Sequence, residues 1–251
     1  MSANAVALVV LGCVLAGAIL GAVLRSTLPA HHLSDESRDV IKVASGLVAT
    51  LVALVLGLLI ASAKNSFDMK SQEITDSAAK VVLLDRQLRS LGPSVDPVRA
   101  SLRQGIATRL GQRWDEGRLR SLGDETGPSI EDVEVKLRGF VPANDSQRWL
   151  HGRAMALAAE LAQTRSLLSE QVGSAISVPF LVIVVFWLFF IFTTLGLFAP
   201  PNRTAYVAIL LCAVSVSAAV LLILDLDRPF EGLITISKEP LRDALGHLDA
   251  R

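Results

Sequence analysis

The sequence predicts an all-α polytopic membrane protein with four transmembrane helices and a helical extramembrane domain extending from helix two. Three observations carry this. The first is four apolar runs without Asp, Glu, Lys, Arg or His, at 5–24, 43–63, 176–199 and 205–224. Each is about 20 residues, enough for a helix to cross about 30 Å of hydrocarbon. A charge at the centre of such a helix costs about 2.5–3.5 kcal/mol on insertion scales, so four clean runs are selective. The second is composition: 51% of the 251 residues are hydrophobic and only 19% charged, with the apolar residues bunched rather than periodic. The third is the stretch 43–91, which contains no Pro and no Gly beyond Leu58. Nothing in it stops a helix, and at 1.5 Å per residue it extends about 70 Å, of which about 30 Å lies in lipid. Residues 1–63 then hold helices one and two, 64–175 a helical stalk domain, 176–226 helices three and four, and 227–251 an extended segment and a short amphipathic helix.

In helix one, Gly17 and Gly21 form a small-xxx-small pair that permits close helix contact. The run continues well past Cys13, and the leading MSANA lacks Lys and Arg, which favours a retained helix over a lipoprotein signal. Cys13 and Cys212 both fall inside apolar runs and read as small hydrophobes. The link to helix two is short and polar; His31 and His32 there lack the further ligands a metal site needs and read as a solvated loop.

In helix two, Ala49, Ala53, Gly57 and Ala61 recur every fourth residue, with Gly46 and Thr50 beside them. Lipid supplies no hydrophobic drive between helices, so such a flat stripe marks close packing. The packing is either against helices one and four of the same chain or around an oligomer axis. Beyond Ala63, Phe67, Ile74, Val81 and Leu88 are seven apart, with Ala78, Leu84 and Leu91 on neighbouring positions, a heptad-like seam that buries one face of the stalk against another helix of its own chain or of a neighbouring chain.

Gly92-Pro93 ends the stalk helix, and Asp96-Pro97 opens another, with Asp96 as N-cap, that runs to about Glu116 with Val98, Leu102, Leu110 and Trp114 on its apolar side. After a charged connector, Ser129 and Asp132 have capping-box spacing for a short helix ended by Pro142. Asn144 or Asp145 caps the next, whose apolar residues are Leu150, Met155, Ala156, Leu161, Leu167 and Leu168, and which returns antiparallel to the stalk. His151 lies on it alone and reads as a surface or capping residue.

Helix three carries six of the nine phenylalanines and Trp187. Bulky groups all round suit a lipid face, which places helix three outside and helix two inside. Helix four follows a tight turn, and Pro229 ends it or kinks it. Ile234 to Ser237 reads as extended, and Ser237 caps a helix holding Leu241, Leu245 and Leu248. Four crossings put both termini and the stalk on one side. Near the span ends that side has Lys64, Lys70, Arg165, Arg228, Lys238 and Arg242, against Arg25, Arg38, Lys42 and Arg203 on the other, a small bias towards a cytoplasmic stalk and termini.

The formal net charge is zero, so no electrostatic footprint for nucleic acid exists. There is no nucleophile motif, phosphate loop or metal-ligand cluster, and the sequence predicts neither an enzyme nor a cofactor. No span holds an acid or histidine, which argues against a proton-driven transporter. Charge gathers instead where helices two and four leave the membrane: Lys64 and Asn65 on one, Asp225, Asp227 and Arg228 on the other. Structural ion pairing or a snorkelling Lys accounts for these groups; a charged ring at a pore mouth is the functional reading.

The segments GLVATLVALVLGLLIASAKNSFD, EITDSAAKVVLLDRQLRSLGP, SVPFLVIVVFWLFF and LDLDRPFEGLITIS resemble the bacterial bestrophin-like membrane protein family, a domain-of-unknown-function family with four predicted transmembrane helices. The resemblance covers nearly all of the chain from Val43 and rests on Lys64, Asp85, Arg86, Asp227, Pro229, Phe230, Gly232, Ile236 and Ser237. It implies an ion channel in a bacterial inner membrane, built from several copies of the chain. Helix two would line the pore, with Leu47, Thr50 and Leu54 as constrictions. The alternative is a non-conducting scaffold or signalling protein whose stalk binds a partner.

Overall fold

The computed structural model describes residues 3–29, 34–108, 110, 128–170, 178–229 and 232–249. In order these form α1 (Ala3–Thr27), α2 (Asp35–Leu91), a 3-10 turn (Pro93–Val95), α3 (Asp96–Thr108), α4 (Ile130–Arg138), α5 (Asp145–Glu170), α6 (Val178–Phe198), α7 (Arg203–Asp227) and α8 (Glu239–Asp249). Among the described residues there is no strand. Four helices, α1, α2, α6 and α7, are long and apolar enough to cross a membrane. The 57-residue α2 is unbroken, about 85 Å at the standard rise. The chain divides into two compact units, the first holding residues 1–66, 174–228 and 232–234, the second 67–173, 229–231 and 235–251.

In the first unit α1 is the common partner, packing along α6 and α7, which scarcely touch one another. Gly17 and Gly21 make that approach possible. A Cβ on Gly17 would lie 2.8 Å from the Phe189 carbonyl oxygen, and one on Gly21 would overlap that of Thr193. Gly196 on α6 reciprocates against the Ala18 carbonyl, and Val10, Val14, Val184, Leu188 and Phe192 fill the seam. Arg25 donates to the Ala199 carbonyl and so closes the end of α6. The expectation that α6 is bulky all round is corrected here. Its Leu188, Phe192 and Gly196 face is buried, because Gly196 opens a flat and Thr193 returns its hydroxyl to the Phe189 carbonyl at 2.8 Å. Phe180, Phe186 and Phe190 remain on the outward side. Both cysteines are free, Cys13 half-buried on α1 and Cys212 exposed on α7.

The second unit has its own core. Ala78, Val81, Leu84, Leu88 and Leu91 of α2 pack with Val98, Leu102 and Ile106 of α3, Val133 and Leu137 of α4, Ala154, Ala158 and Leu161 of α5, and Ala244 and Leu248 of α8. The α2 seam is therefore covered by helices of its own chain. Burying each of Leu84, Leu88 and Leu91 stabilises the unit by about 1.5–3 kcal/mol. α5 runs antiparallel to α2: Gln147 Nε2 donates to the Leu91 carbonyl at 3.3 Å, while Lys80 pairs with Glu160 at 2.9 Å, so rising numbers on one meet falling numbers on the other.

Several local expectations are met and others revised. Gly92, at φ 97°, ends α2. Asp96 is already helical (φ −55°, ψ −36°) and not an extended N-cap, because the 3-10 turn from Pro93 delivers the chain in helical register. The capping box of α4 is complete: Ser129 N–H donates to Asp132 Oδ2 at 2.7 Å and Asp132 N–H to Ser129 Oγ at 3.3 Å. That helix is closed by Gly139, whose N–H reaches the Val135 and Lys136 carbonyls, three residues before Pro142. Asn144, not Asp145, caps α5, accepting from Gln147 N–H at 2.8 Å. The buried face of α5 is Ala154, Ala158 and Leu161; Ala156 and Leu167 are exposed. These small alanines lie in the shared core, where α5 packs along α4. His151 is a capping residue, with Nε2 2.9 Å from the Leu137 carbonyl and its ring 5.7 Å from that of Phe140. Ser237 Oγ accepts from Glu239 N–H at 3.2 Å and opens α8. His31, His32, Trp114 and Phe230 lie outside the described residues.

Candidate functional site

The small-residue stripe of α2 is not consumed by packing within the chain. Gly46, Ala49, Thr50, Ala53, Gly57 and Ala61 are all exposed, and a Cβ added to Gly46 or Gly57 would meet nothing within 4 Å. Leu47 and Leu54 are 66% and 70% exposed. What α2 buries in this unit is a flanking face, Val52 and Ala63, with Ser45 donating to Thr194 Oγ1 at 3.1 Å. Only 6% of the most apolar window of α2 is buried, against 33%, 33% and 22% for the other three spans, which leaves this helix the least partnered of the four. Packing against helices one and four therefore does not account for the stripe.

At the far end of α7 the sequence builds a closed loop. Pro229 has no N–H to continue the helix, and the Arg228 N–H turns back to the Asp225 carbonyl at 3.1 Å. Gly232 adopts φ 125°, a conformation that L side chains rarely take. This brings two amides onto Asp225, whose carboxylate accepts from Leu233 N–H at 3.0 Å and Ile234 N–H at 2.8 Å, both to Oδ2. A carboxylate at a helix C-terminus meets the negative end of the dipole; two amide donors offset that. Asp225 and Asp227 are both buried, Arg228 is half-buried, and Lys64 and Asn65 are exposed on α2. Asp225 is thus committed to the loop, and Gly232 carries no side chain because the carboxylate occupies that space.

Asp85, in the second unit, is the other buried acid that organises its surroundings. Arg99 Nε approaches Oδ1 at 2.8 Å and Arg89 Nε approaches Oδ2 at 2.8 Å. Arg99 also lies 3.5 Å from Asp96, and Arg89 donates to the His247 carbonyl at 3.0 Å, tying α8 to α2. The Asp85 hydrogen bond holds the Arg99 guanidinium above its ordinary pKa. These groups, with Arg103 paired to Asp249, line an open cleft of about 480 Å³. Arginine and aspartate alternate there, so it is an ion-pair lattice and not a concentrated anion site. The organising role of Asp85 was not apparent from its place beside the seam; the available signal was an acid flanking Leu84 and Leu88 with Arg four residues on. Among the described residues no three His, Cys, Asp or Glu side chains gather as a metal-ligand set.

Four membrane-crossing helices and a separate helical unit that shares the second of them define a polytopic α-helical membrane protein. Its class narrows further on comparison: the Bestrophin-like domain matches residues 12–241, and the chain belongs to the Bestrophin-like family. No curated protein and no solved structure matches it. Within the family resemblance, Gly232 supplies the positive φ, Ile236 is buried with its N–H 3.0 Å from the Pro229 carbonyl, and Asp85 anchors the ion pairs.

Proposed function

We propose that the chain is one subunit of a homo-oligomeric ion channel in a bacterial inner membrane, with α2 lining the pore. The supporting observation is the outward small-residue stripe on the least buried of the four spans. Small side chains let helix backbones approach, and hydrocarbon gives no other reason for a flat face. Leu47 and Leu54 would form apolar constrictions, with Thr50 between them as a polar ring. Lys64, Asn65, Asp227 and Arg228 fall where the mouth would be, with the second unit and both termini in the cytoplasm. The permeant ion is left open.

Mass measurement of the intact particle in mild detergent tests the assembly, with Gly57→Leu as the disrupting variant. A multimer that the substitution weakens supports the reading; a monomeric wild type removes it. Conductance in planar bilayers tests the pore, and its absence under every salt, voltage and lipid counts against it. A second reading, a scaffold or signalling protein that does not conduct, is favoured by one feature of the second unit. Val135, Val141 and Trp149 are 65%, 83% and 64% exposed around the α4–α5 turn. Loss of a bound partner in Val141→Asp, with conductance absent in wild type, would favour it.

A further inference from the structure

The first unit contains a cation without a counter-group among the described residues. Arg38, in the first turns of α2, makes no side-chain hydrogen bond or ion pair with any described residue, and its Nε is closed off from water. The guanidinium lies over the Phe198 ring, 5.7 Å from the centroid. The next residue, Ala199, is held by Arg25 through its carbonyl, so two guanidinium groups converge on consecutive residues at the end of α6. The neighbouring acid Asp39 turns instead to Lys42, at 3.5 Å.

Depth selects the missing acceptor. Arg38 lies five residues before Val43, where the charge-free run begins, which is about 7.5 Å along the helix. The headgroup layer on each side of the hydrocarbon is about 5–8 Å thick, so the guanidinium sits at its level. A ring face on one side and an open planar fork on the other leave the N–H edge for a planar or tetrahedral oxyanion, and arginine binds phosphate in this bidentate manner. A fixed charge with a donor excluded from water is costly unless such a group arrives.

The geometry points to a binding site for a phosphate ester at Arg38, walled by Phe198 and supported by Arg25, with a phospholipid headgroup as the source that its depth favours. The full chain, freed of lipid in detergent, is titrated with phosphatidylglycerol, with a phosphate-free glycolipid of the same acyl chains, or with inorganic phosphate, reading the unfolding temperature and the lipid retained in the intact particle. Phosphatidylglycerol is expected to protect the wild type, and Arg38→Gln to raise its half-saturating concentration about tenfold or more. Phe198→Leu raises it about threefold. Arg153→Gln, which removes the guanidinium lying 5.7 Å over Trp149 in the other unit, leaves it unchanged. Should Arg38→Gln not fold, Arg38→Lys carries the test, since it keeps the charge but loses the fork and should weaken retention severalfold. Displacement of the lipid by millimolar inorganic phosphate supports the site with free phosphate as its source; failure to displace supports the lipid. Equal titration of wild type and both Arg38 variants, or equal protection by the phosphate-free glycolipid, overturns the assignment.

Discussion

Replacing Gly232 by alanine should open the loop at the end of α7. The new Cβ would overlap Asp225 Oδ1 and lie 2.8 Å from Cγ, in a backbone at φ 125°. Two relaxations are available. The loop keeps its path and expels the carboxylate, or the carboxylate stays and the loop moves away. Both lose the bonds from Leu233 and Ile234 N–H. Hydrogen bonds to a charged group contribute about 1.5–3 kcal/mol each, so the two together set a loss of at least about 3 kcal/mol. Backbone strain at positive φ adds about 1–3 kcal/mol if the loop holds its path. Local opening should therefore rise at least about a hundredfold. Hydrogen exchange followed by mass spectrometry on the segment covering 232–234 reads this directly. Asp225→Asn is the milder companion, because both amides reach the same oxygen, which an amide carbonyl could replace at reduced strength; about tenfold faster exchange is expected. Exchange in the Gly232→Ala protein within threefold of wild type would refute the claim that the carboxylate and the glycine share one space.

In the second unit, Asp85→Ala leaves Arg89 and Arg99 facing a site with no acceptor and should cost about 2–4 kcal/mol in denaturant titration, the lower end reflecting guanidinium groups that are partly in water. Gly196→Val should separate α1 from α6 and lower the unfolding temperature sharply, whereas Gly57→Ala should leave a subunit by itself unaffected, as nothing lies within 4 Å of the added methyl. A matched loss in both would contradict the packing described. The Ser129 amide holds the Asp132 carboxyl below its ordinary pKa, so that cap is at full strength above the unfolded carboxylate range and fails as pH falls through the folded-state value. Asp132→Ala, which removes the titrating acceptor, should lower stability at neutral pH, measured by α-helical circular dichroism, and the gap to wild type should narrow in acid.

Periodic features were the legible ones. The seam from Ile74 to Leu91 declares itself because a helix repeats its buried face every three or four residues, and Gly17 with Gly21 does so through spacing. Their counterpart Gly196 is a single small residue in a bulky run, so no pattern marks it. The α5 face was legible in part: Leu150, Met155 and Leu161 pack on the core as their hydrophobicity suggests, but Leu167 is exposed and the fully buried positions, Ala154 and Ala158, are small residues that hydrophobicity does not single out. Asp225 stood out as a charge near a membrane border, yet composition says nothing about where a carboxylate points. Its assignment needed Pro229 and Gly232 to turn the chain back upon it. Asp85 was hidden for the same reason, since its second partner, Arg99, comes from a different helix.

The pairing of α1 with α6 bears on how the protein is made. Arg25 and the carbonyl it grips are 174 residues apart in the chain, with the whole of 67–173 translated between them. At about 5–20 residues per second, the glycine face of α1 waits roughly 9–35 s after its own synthesis before α6 emerges. During that interval the newly inserted first two helices lack the neighbour that α1 is shaped to meet. The insertion machinery or the surrounding lipid must shelter this half-finished bundle, and biogenesis should be the step most sensitive to slow translation of the intervening segment.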